Sequence, residues 1–160
     1  MISQFLQRRV GFLFMSQEPS SPLPAPTEPE MQILAALFID EIDLRQIEGP
    51  TTRIDLGGIQ FSAAAPSEDE FLWAPHLVVI VRADAGHSGS AVLEAIFTVD
   101  GEQVARNVQP LQVDPGKFSY RLVRAEVEVI APTTVVAHVR LDGGPATLVP
   151  FNHLLPVSDT

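Results

Sequence analysis

The chain contains no cysteine among its 160 residues. Disulfide cross-links, cysteine-ligated zinc or iron–sulfur centres, thiol nucleophiles and thiol redox switches are therefore all excluded. The absence does not decide the cellular compartment, because proteins of every compartment can lack this residue.

Basic residues and polar aromatic residues are also scarce. Ten Lys and Arg stand against 20 Asp and Glu, which gives a formal net charge of −10, and nine Phe accompany one Trp and one Tyr. Nucleic-acid backbones and anionic membranes repel such a chain, and Phe suits a packed interior better than a platform for stacking bases. We therefore expect protein partners, either another protein or further copies of this chain, and no nucleic acid.

Long hydrophobic runs are missing as well. The apolar run 10–15, which follows Arg8 and Arg9, is far shorter than the roughly 20 residues of a membrane-spanning helix, and no small-residue cleavage site follows it. We predict no signal peptide, no membrane insertion and a cytoplasmic location. The apolar side chains between Phe5 and Phe14 would either dock on a partner or a membrane surface or form an unanchored end, and we favour the unanchored end.

Prolines divide the chain into a leader and a folded domain. Five of them lie between Ser16 and Glu30 among Ser, Thr and Glu, a composition that favours extended, solvated chain. We predict a disordered, proline-rich leader over 1–30 and one β-sandwich domain over 31–160. In that domain the prolines stand at the ends of short apolar runs rich in Val, Ile, Leu, Phe and Thr, which predicts strands rather than helices.

We predict an all-β fold: a single immunoglobulin-like antiparallel β-sandwich of about seven or eight strands. The predicted strands are 33–39, 54–62, 77–83, 92–99, 103–108, 118–129, 134–141 and 146–151. The segment 31–47 also fits a helix, because Leu34, Leu37 and Phe38 share a helical face, but its continuous apolar run favours a strand. Asp100-Gly101 predicts a two-residue hairpin turn, Asp142-Gly-Gly a longer one, and Asp114-Pro-Gly a reverse turn.

The segments FIDEIDLRQIEG, IDLGGIQFS, LVVIVRA, AVLEAIFTVDGEQV and VVAHVRLDGG together carry a resemblance over residues 33–155. In this pattern the chain resembles small β-sandwich proteins of unknown function from high-GC Gram-positive bacteria. The resemblance implies the β-sandwich fold. That family has no assigned activity, so no functional residue is transferred from it.

Catalytic and metal-binding patterns are weak in this sequence. Gly86-His-Ser-Gly-Ser is similar to the nucleophile elbow of hydrolases, but its last position is Ser90 and a strand rather than a helix is predicted after it. The four histidines do not occur in short pairs, and the acidic stretches 40–43 and 68–70 lack the spacing of a calcium loop. We therefore expect no enzymatic activity, no catalytic residue, no metal and no cofactor.

Four residues stand out as ligand or interface candidates: Trp73, Tyr120, His138 and Arg140. His138 and Arg140 share the outward face of one predicted strand, where Arg121 or Arg124 would extend a cationic patch; a plain solvated face is the alternative. Trp73 would either stack on a ligand or plug the end of the sandwich, and we favour the plug.

Apolar residues on the outward faces of several strands motivate the functional hypothesis. They are Val92, Ile96, Phe118, Tyr120, Leu122 and Val136. The leading hypothesis is a non-enzymatic β-sandwich that acts through protein contacts, by self-association or as an accessory subunit. The alternative is a small-ligand or carbohydrate-binding module with a pocket at the loop ends, and the third hypothesis is a hydrolase.

Overall fold

A computed structural model describes residues 28–46, 48–49 and 52–157, and every regular element in these ranges is a β-strand. The predicted disordered leader falls almost entirely outside them. The twelve strands are β1 (Met31–Ile39), β2 (Glu41–Gln46), β3 (Thr52–Gly57), β4 (Ser62–Ala64), β5 (Phe71–Trp73), β6 (His76–Ala83), β7 (Ser90–Val99), β8 (Glu102–Gln112), β9 (Phe118–Arg124), β10 (Val127–Val129), β11 (Thr133–Leu141) and β12 (Thr147–Leu154).

Two larger sheets form a β-sandwich. One has three strands in the order β1-β6-β9, and the other has five in the order β4-β12-β11-β7-β8. The short pairs β5–β10 and β2–β3 complete the architecture, and only β4 and β12 run parallel. The all-β prediction is confirmed, while the immunoglobulin-like strand order stays a prediction.

The core lies between the two larger sheets because alternate residues of their central strands turn inward. On β6 and β7 every second side chain is fully buried, and β11 repeats the pattern. These inward residues are Leu77, Val79, Val81, Leu93, Ala95, Phe97, Val135, Ala137 and Val139, all 0% exposed. Burial of each large aliphatic side chain contributes about 1.5–3 kcal/mol before entropy is counted.

The predicted number of strands was too low. β2, β4 and β5 were missed, because β4 and β5 are only three residues long and β2 alternates charged residues with apolar ones outside the main core. The predicted strand 118–129 is broken at Ala125-Glu126, and its two parts, β9 and β10, join different sheets. The segment 31–39 is a strand, so its helical alternative is wrong.

Two prolines lie inside strands rather than at their ends. Pro110 belongs to β8, the outermost strand of the five-stranded sheet, where its lack of an N–H group removes no hydrogen bond between strands. Pro150 lies in β12 two residues before Asn152, whose N–H donates to Phe61 O on the β4 side. The nitrogen of Pro150 faces the same side, just beyond the three residues that β4 pairs.

The predicted turns are present. Asp100 and Gly101 have φ values of 49° and 81°, as a two-residue type I′ turn requires, and they join β7 to β8. Asp142 begins the longer loop with a φ of 48°. Gly116 has a φ of 78° in the reverse turn, which the N–H of Lys117 closes by donating to Asp114 O at 3.0 Å.

Aromatic rings close the end of the core at which β6 begins. Trp73 lies 4.6 Å from Phe151 and 5.2 Å from Phe38 between ring centroids, and its ring meets His153 edge-on at 4.6 Å. Phe38 and Phe151 are almost fully buried, whereas Trp73 is half-buried. Trp73 therefore packs as a plug against the core.

His153 is the polar member of this aromatic cluster. It is 2% exposed, and its Nε2 has no hydrogen-bond partner among the described residues. Burial disfavours the charged imidazolium and lowers the pKa of His153 below its ordinary value of 6.5. The native state therefore holds this side chain neutral.

We predict that His153 makes the protein less stable in mild acid. The unfolded chain takes up a proton below about pH 6.5 while the native state resists it, so the free energy of unfolding is constant above that pH and falls below it. Thermal unfolding at about pH 7.5 and about pH 5 should show a smaller loss of Tm in His153→Phe than in the wild type. His76→Gln, a change at an exposed histidine, should keep the wild-type loss. Equal losses in all three proteins would contradict this account.

Candidate interaction surface

The side of the five-stranded sheet that faces away from the core is the candidate interaction surface, and we call it the outer face. It is formed by the residues that alternate with the buried ones on β7 and β11, together with their cross-strand neighbours. Its members are Val92, Glu94, Ile96, Thr98, Arg106, Val108, Pro110, Val136, His138, Arg140, Leu148 and Pro150.

Apolar side chains dominate the outer face. Ile96 and Val136 lie half-buried on its central strands, and around them Val92, Val108 and Leu148 are 46%, 48% and 59% exposed. Ile96 lies opposite His138 and Arg106, so its apolar neighbours Val108 and Val136 stand on the diagonals, within reach of long side chains. The result is a surface across four strands in which apolar side chains alternate with a few polar ones.

One buried carboxylate organises the charges on this face. The Glu94 side chain is 9% exposed and lies between two arginines. Arg106 approaches Glu94 Oε1 with its Nε at 2.7 Å and its Nη2 at 2.5 Å, and Arg140 Nε donates to Oε2. Hydrogen bonds from Arg140 and then Arg106 hold the pKa of Glu94 below its ordinary value. The cluster carries two positive charges and one negative charge.

His138 lies beside this cluster, and its side chain contacts a residue of the neighbouring strand β7. Its Nε2 is 3.0 Å from Thr98 Oγ1, and its ring is half-buried between the neighbouring strands. Arg140 is tied to Glu94 in the same way. Both predicted residues lie on the outward side of β11, but their polar ends are held by partners in the sheet.

The structure does not extend this pair into the suggested cationic patch. Arg121 and Arg124 lie on β9, in the three-stranded sheet, because β9 pairs with β6. Arg106 of β8 takes that place beside Arg140. Arg106, which completes the cluster, therefore comes from β8, the hairpin partner of β7.

Tyr120 also lies on β9, opposite Ile80, where it is half-buried. Its backbone carbonyl accepts a hydrogen bond from Arg121 Nη1 at 2.9 Å. Phe118, at 60% exposure, and Leu122 lie two residues before and two residues after Tyr120, on the same side of the strand. The six apolar residues singled out in the sequence are thus divided between two sheets, and only Val92, Ile96 and Val136 belong to the outer face.

Trp73 borders a small cleft at the loop end of the sandwich. The cleft has a volume of about 270 Å³, and its polar lining includes Asp40, Gln60 and His76. Gln60 Nε2 donates to Asp40 Oδ1, which fixes both side chains beside the indole. A larger cleft of about 660 Å³ adjoins it and is lined by Arg124 and Glu126 among others. Polar groups that converge beside an aromatic ring are typical of small-ligand sites.

The serine of the elbow-like motif lies in the loop between β6 and β7. Ser88 Oγ accepts a hydrogen bond from Ser90 N–H at 3.4 Å, and His87 Nδ1 accepts one from Gly89 N–H at 2.9 Å. Both groups are therefore engaged with the backbone of their own loop, and β7 begins directly after it. This geometry differs from the strand–turn–helix setting that a nucleophile elbow needs.

Comparison with known proteins does not assign the chain to a class: no protein-family model matches it, and no curated protein matches its sequence. The resemblance to small bacterial β-sandwich proteins therefore stays a prediction. Within the described ranges, no three or more His, Asp or Glu side chains are grouped so that they could hold a metal ion. The same part of the chain contains no helix long and apolar enough to cross a membrane.

The Glu94 cluster was not foreseen, although the sequence carries one signal for it. Glu94 interrupts an otherwise apolar strand, and a charge in such a position needs a partner of opposite sign. Its partners are found only once the pairing of three strands is known. The sequence does not supply that register.

We predict that Glu94→Gln destabilises the fold, because it removes the charge that keeps Arg106 and Arg140 together and leaves the two guanidinium groups facing each other. Since the native pKa of Glu94 is lowered, its contribution to stability is complete above the ordinary value of about 4.5 and is lost as the pH falls below it.

Chemical denaturation at neutral pH should therefore show a lower midpoint for Glu94→Gln than for the wild type. The difference should shrink as the pH is lowered below the ordinary value of about 4.5, because the contribution of the Glu94 charge is lost there. Glu128→Gln, a change at an exposed carboxylate, serves as the matched control and should leave the midpoint nearly unchanged. A midpoint for Glu94→Gln equal to that of the control would contradict the role assigned to the cluster.

Proposed function

We propose that this protein is a non-enzymatic β-sandwich that acts through protein contacts, with the outer face as its contact surface. The observation that carries the proposal is the exposure of Val92, Val108 and Leu148 around the central residues Ile96 and Val136. An apolar patch of this kind is stabilised when a partner removes it from water. We propose self-association as the first kind of contact and binding to another protein, as an accessory subunit, as the second.

Charge supports self-association through this face rather than another. The chain carries a formal net charge of −10, so two copies repel each other over most of their surface. The outer face has a single carboxylate, Glu94, which two arginines already neutralise. Copies that meet there bring together exposed apolar side chains without adding to the repulsion between carboxylates.

We predict that charged residues placed on the outer face prevent the association. The double change Val108→Glu and Leu148→Glu replaces two exposed apolar side chains without touching the core, and it places on each copy two carboxylates that association would remove from water. Sedimentation equilibrium over a concentration series should show a wild-type protein that self-associates and a double variant that sediments as a monomer.

The matched control is Leu34→Glu with Val157→Glu, which adds the same charge at two exposed residues outside the outer face. This control should associate as the wild type does. A wild type that is monomeric at every concentration rejects self-association. If, in addition, every purified candidate partner binds the outer-face variant as well as it binds the wild type, the accessory form of the proposal is rejected too.

A second candidate function is the binding of a small ligand or carbohydrate at the loop end, and the cleft beside Trp73 favours it. Asp40, Gln60 and His76 offer acceptors and donors around the half-buried indole. Sugars are commonly held by an aromatic ring together with a few side chains that form directed hydrogen bonds. The competing role of Trp73 is the plug described above, and both roles are compatible with its half-buried position.

This second function predicts a change in tryptophan emission when a ligand binds. Trp73 is the only tryptophan, so intrinsic fluorescence reports on the cleft alone. Titration with a panel of mono- and disaccharides should shift the emission of the wild type, and Gln60→Ala should weaken the response by roughly tenfold in Kd if one hydrogen bond is lost. No shift with any member of the panel would count against a sugar site.

A further inference from the structure

A groove rimmed by carboxylates runs along the edge of the sandwich where β5 pairs with β10, and we call it the β5–β10 groove. Two adjoining cavities, of about 410 and 330 Å³, form it, and they share Glu70, Val104 and Glu128. Leu72, Val104 and Ile130 provide its apolar surface at 58%, 42% and 59% exposure. These large apolar side chains are open to a partner.

The charge of the groove is uniform. Its lining holds the carboxylates of Glu70, Asp100, Glu126 and Glu128, and neither cavity is lined by Lys, Arg or His. None of these four carboxylates belongs to an ion pair within the described part of the chain. A segment that fits the groove must therefore combine apolar side chains with positive charge.

The chain itself contains one segment with this chemistry. Residues 1–15 hold no Asp or Glu, carry Arg8 and Arg9, and contribute nine large apolar side chains. These are Met1, Ile2, Phe5, Leu6, Val10, Phe12, Leu13, Phe14 and Met15. We propose that residues 1–15 dock intramolecularly in the β5–β10 groove, with Arg8 and Arg9 facing its carboxylates and the apolar side chains covering Leu72, Val104 and Ile130.

The chain that connects residues 1–15 to the described residues is long enough for this contact. The described chain begins at Glu28 beside the end of β6, where Glu30 N–H donates to Asp84 Oδ2 at 3.2 Å. The groove follows β5, which ends at Trp73 shortly before β6 begins at His76, so the leader must span the length of β6, about 24 Å at 3.4 Å per residue. The twelve residues 16–27 reach about 37 Å in an extended polyproline conformation.

Docking covers apolar surface and also brings opposite charges together, so it depends on salt. Interactions between exposed charges are screened within about 10 Å at 0.1 M salt and about 3 Å at 1 M. The surface used here shares no residue with the outer face. This inference therefore does not rest on the proposed self-association, and either one can fail alone.

Energy transfer from Trp73 to a label on the leader tests the inference in the full-length chain. Trp73 directly follows Leu72 of the groove and is the only tryptophan, and Ser3→Cys creates the only thiol for a dansyl acceptor. Transfer is measured as the loss of tryptophan emission in the labelled protein relative to the same variant unlabelled. The expected result is strong transfer in the wild-type background that does not change on dilution and weakens at 1 M salt.

Charge reversal provides the decisive comparison. Glu70→Lys with Glu128→Lys, or Arg8→Glu with Arg9→Glu, should reduce the transfer. Combining all four changes restores opposite charges between the leader and positions 70 and 128, while Asp100 and Glu126 keep their negative charge, so it should recover part of the transfer. The control Glu41→Lys with Glu48→Lys makes the same change of charge at exposed residues away from the groove and should keep the wild-type signal.

Three outcomes overturn the inference. Transfer that is unchanged by reversal of the groove charges shows that the leader does not use this groove. Transfer that falls on dilution shows contact between different copies rather than within one chain. Failure of the fourfold variant to recover any of the signal, while thermal melting shows that it is folded, shows that the charges do not pair.

Discussion

The register of the β7–β8 hairpin is the constraint on which the charged and apolar surfaces depend. Asp100 and Gly101 bring Val99 opposite Glu102 and Thr98 opposite Gln103, but Phe97 lies opposite Ala105. Val104 is thus an extra residue in β8, a β-bulge. Because a shift of one residue exchanges the two faces of a strand, every residue of β8 beyond the bulge turns to the side opposite the one that the turn alone would give it.

The consequences of this bulge reach both sides of the sheet. Leu111 faces inward and is 2% exposed, and Arg106 faces outward, where it meets Glu94. If β8 instead continued the pairing set by the turn with no bulge, Leu111 would be exposed and Arg106 would point into the core, leaving a buried charge. Val104 itself remains 42% exposed and supplies part of the β5–β10 groove. One inserted residue thus links the core, the outer face and the groove.

This bulge also explains which features were predictable from the sequence. Strands whose inward positions are all apolar, such as β7 and β11, were found because burial on one face imposes a period of two. The turn at Asp100-Gly101 was found because both residues must adopt positive φ. Counting outward from that turn pairs Arg106 with Ala95, on the wrong face, so the partner of Glu94 could not be derived. A bulge has no sequence signal comparable to a glycine turn, and long-range contacts decide its position.

The loop end of the sandwich was harder to predict for a related reason. Trp73 and His153 are 80 residues apart in the chain, yet their rings meet at 4.6 Å. β5 holds Trp73 with only three residues, and its partner β10 was predicted as the continuation of β9. The break at Ala125-Glu126 has no proline or glycine to mark it. The plug assigned to Trp73 agrees with its packing. Of the polar side chains beside it, Asp40 and His76 lie outside the predicted strands, and Gln60 lies in the predicted strand 54–62 at a point where the structure has only an isolated bridge to Phe38.

The symmetry of the contacts separates the two surfaces that the structure offers. An outer face that meets a second outer face forms an isologous contact, which closes after two copies. Contact between the outer face of one copy and the β5–β10 groove of another would be heterologous, and such contacts continue into rings or open chains unless the groove is already occupied. The outer face has two positive charges against one negative charge, while the groove has only carboxylates, so attraction favours this second contact. The proposed docking of residues 1–15 in the groove would remove that contact and would leave the self-complementary face as the one available for association.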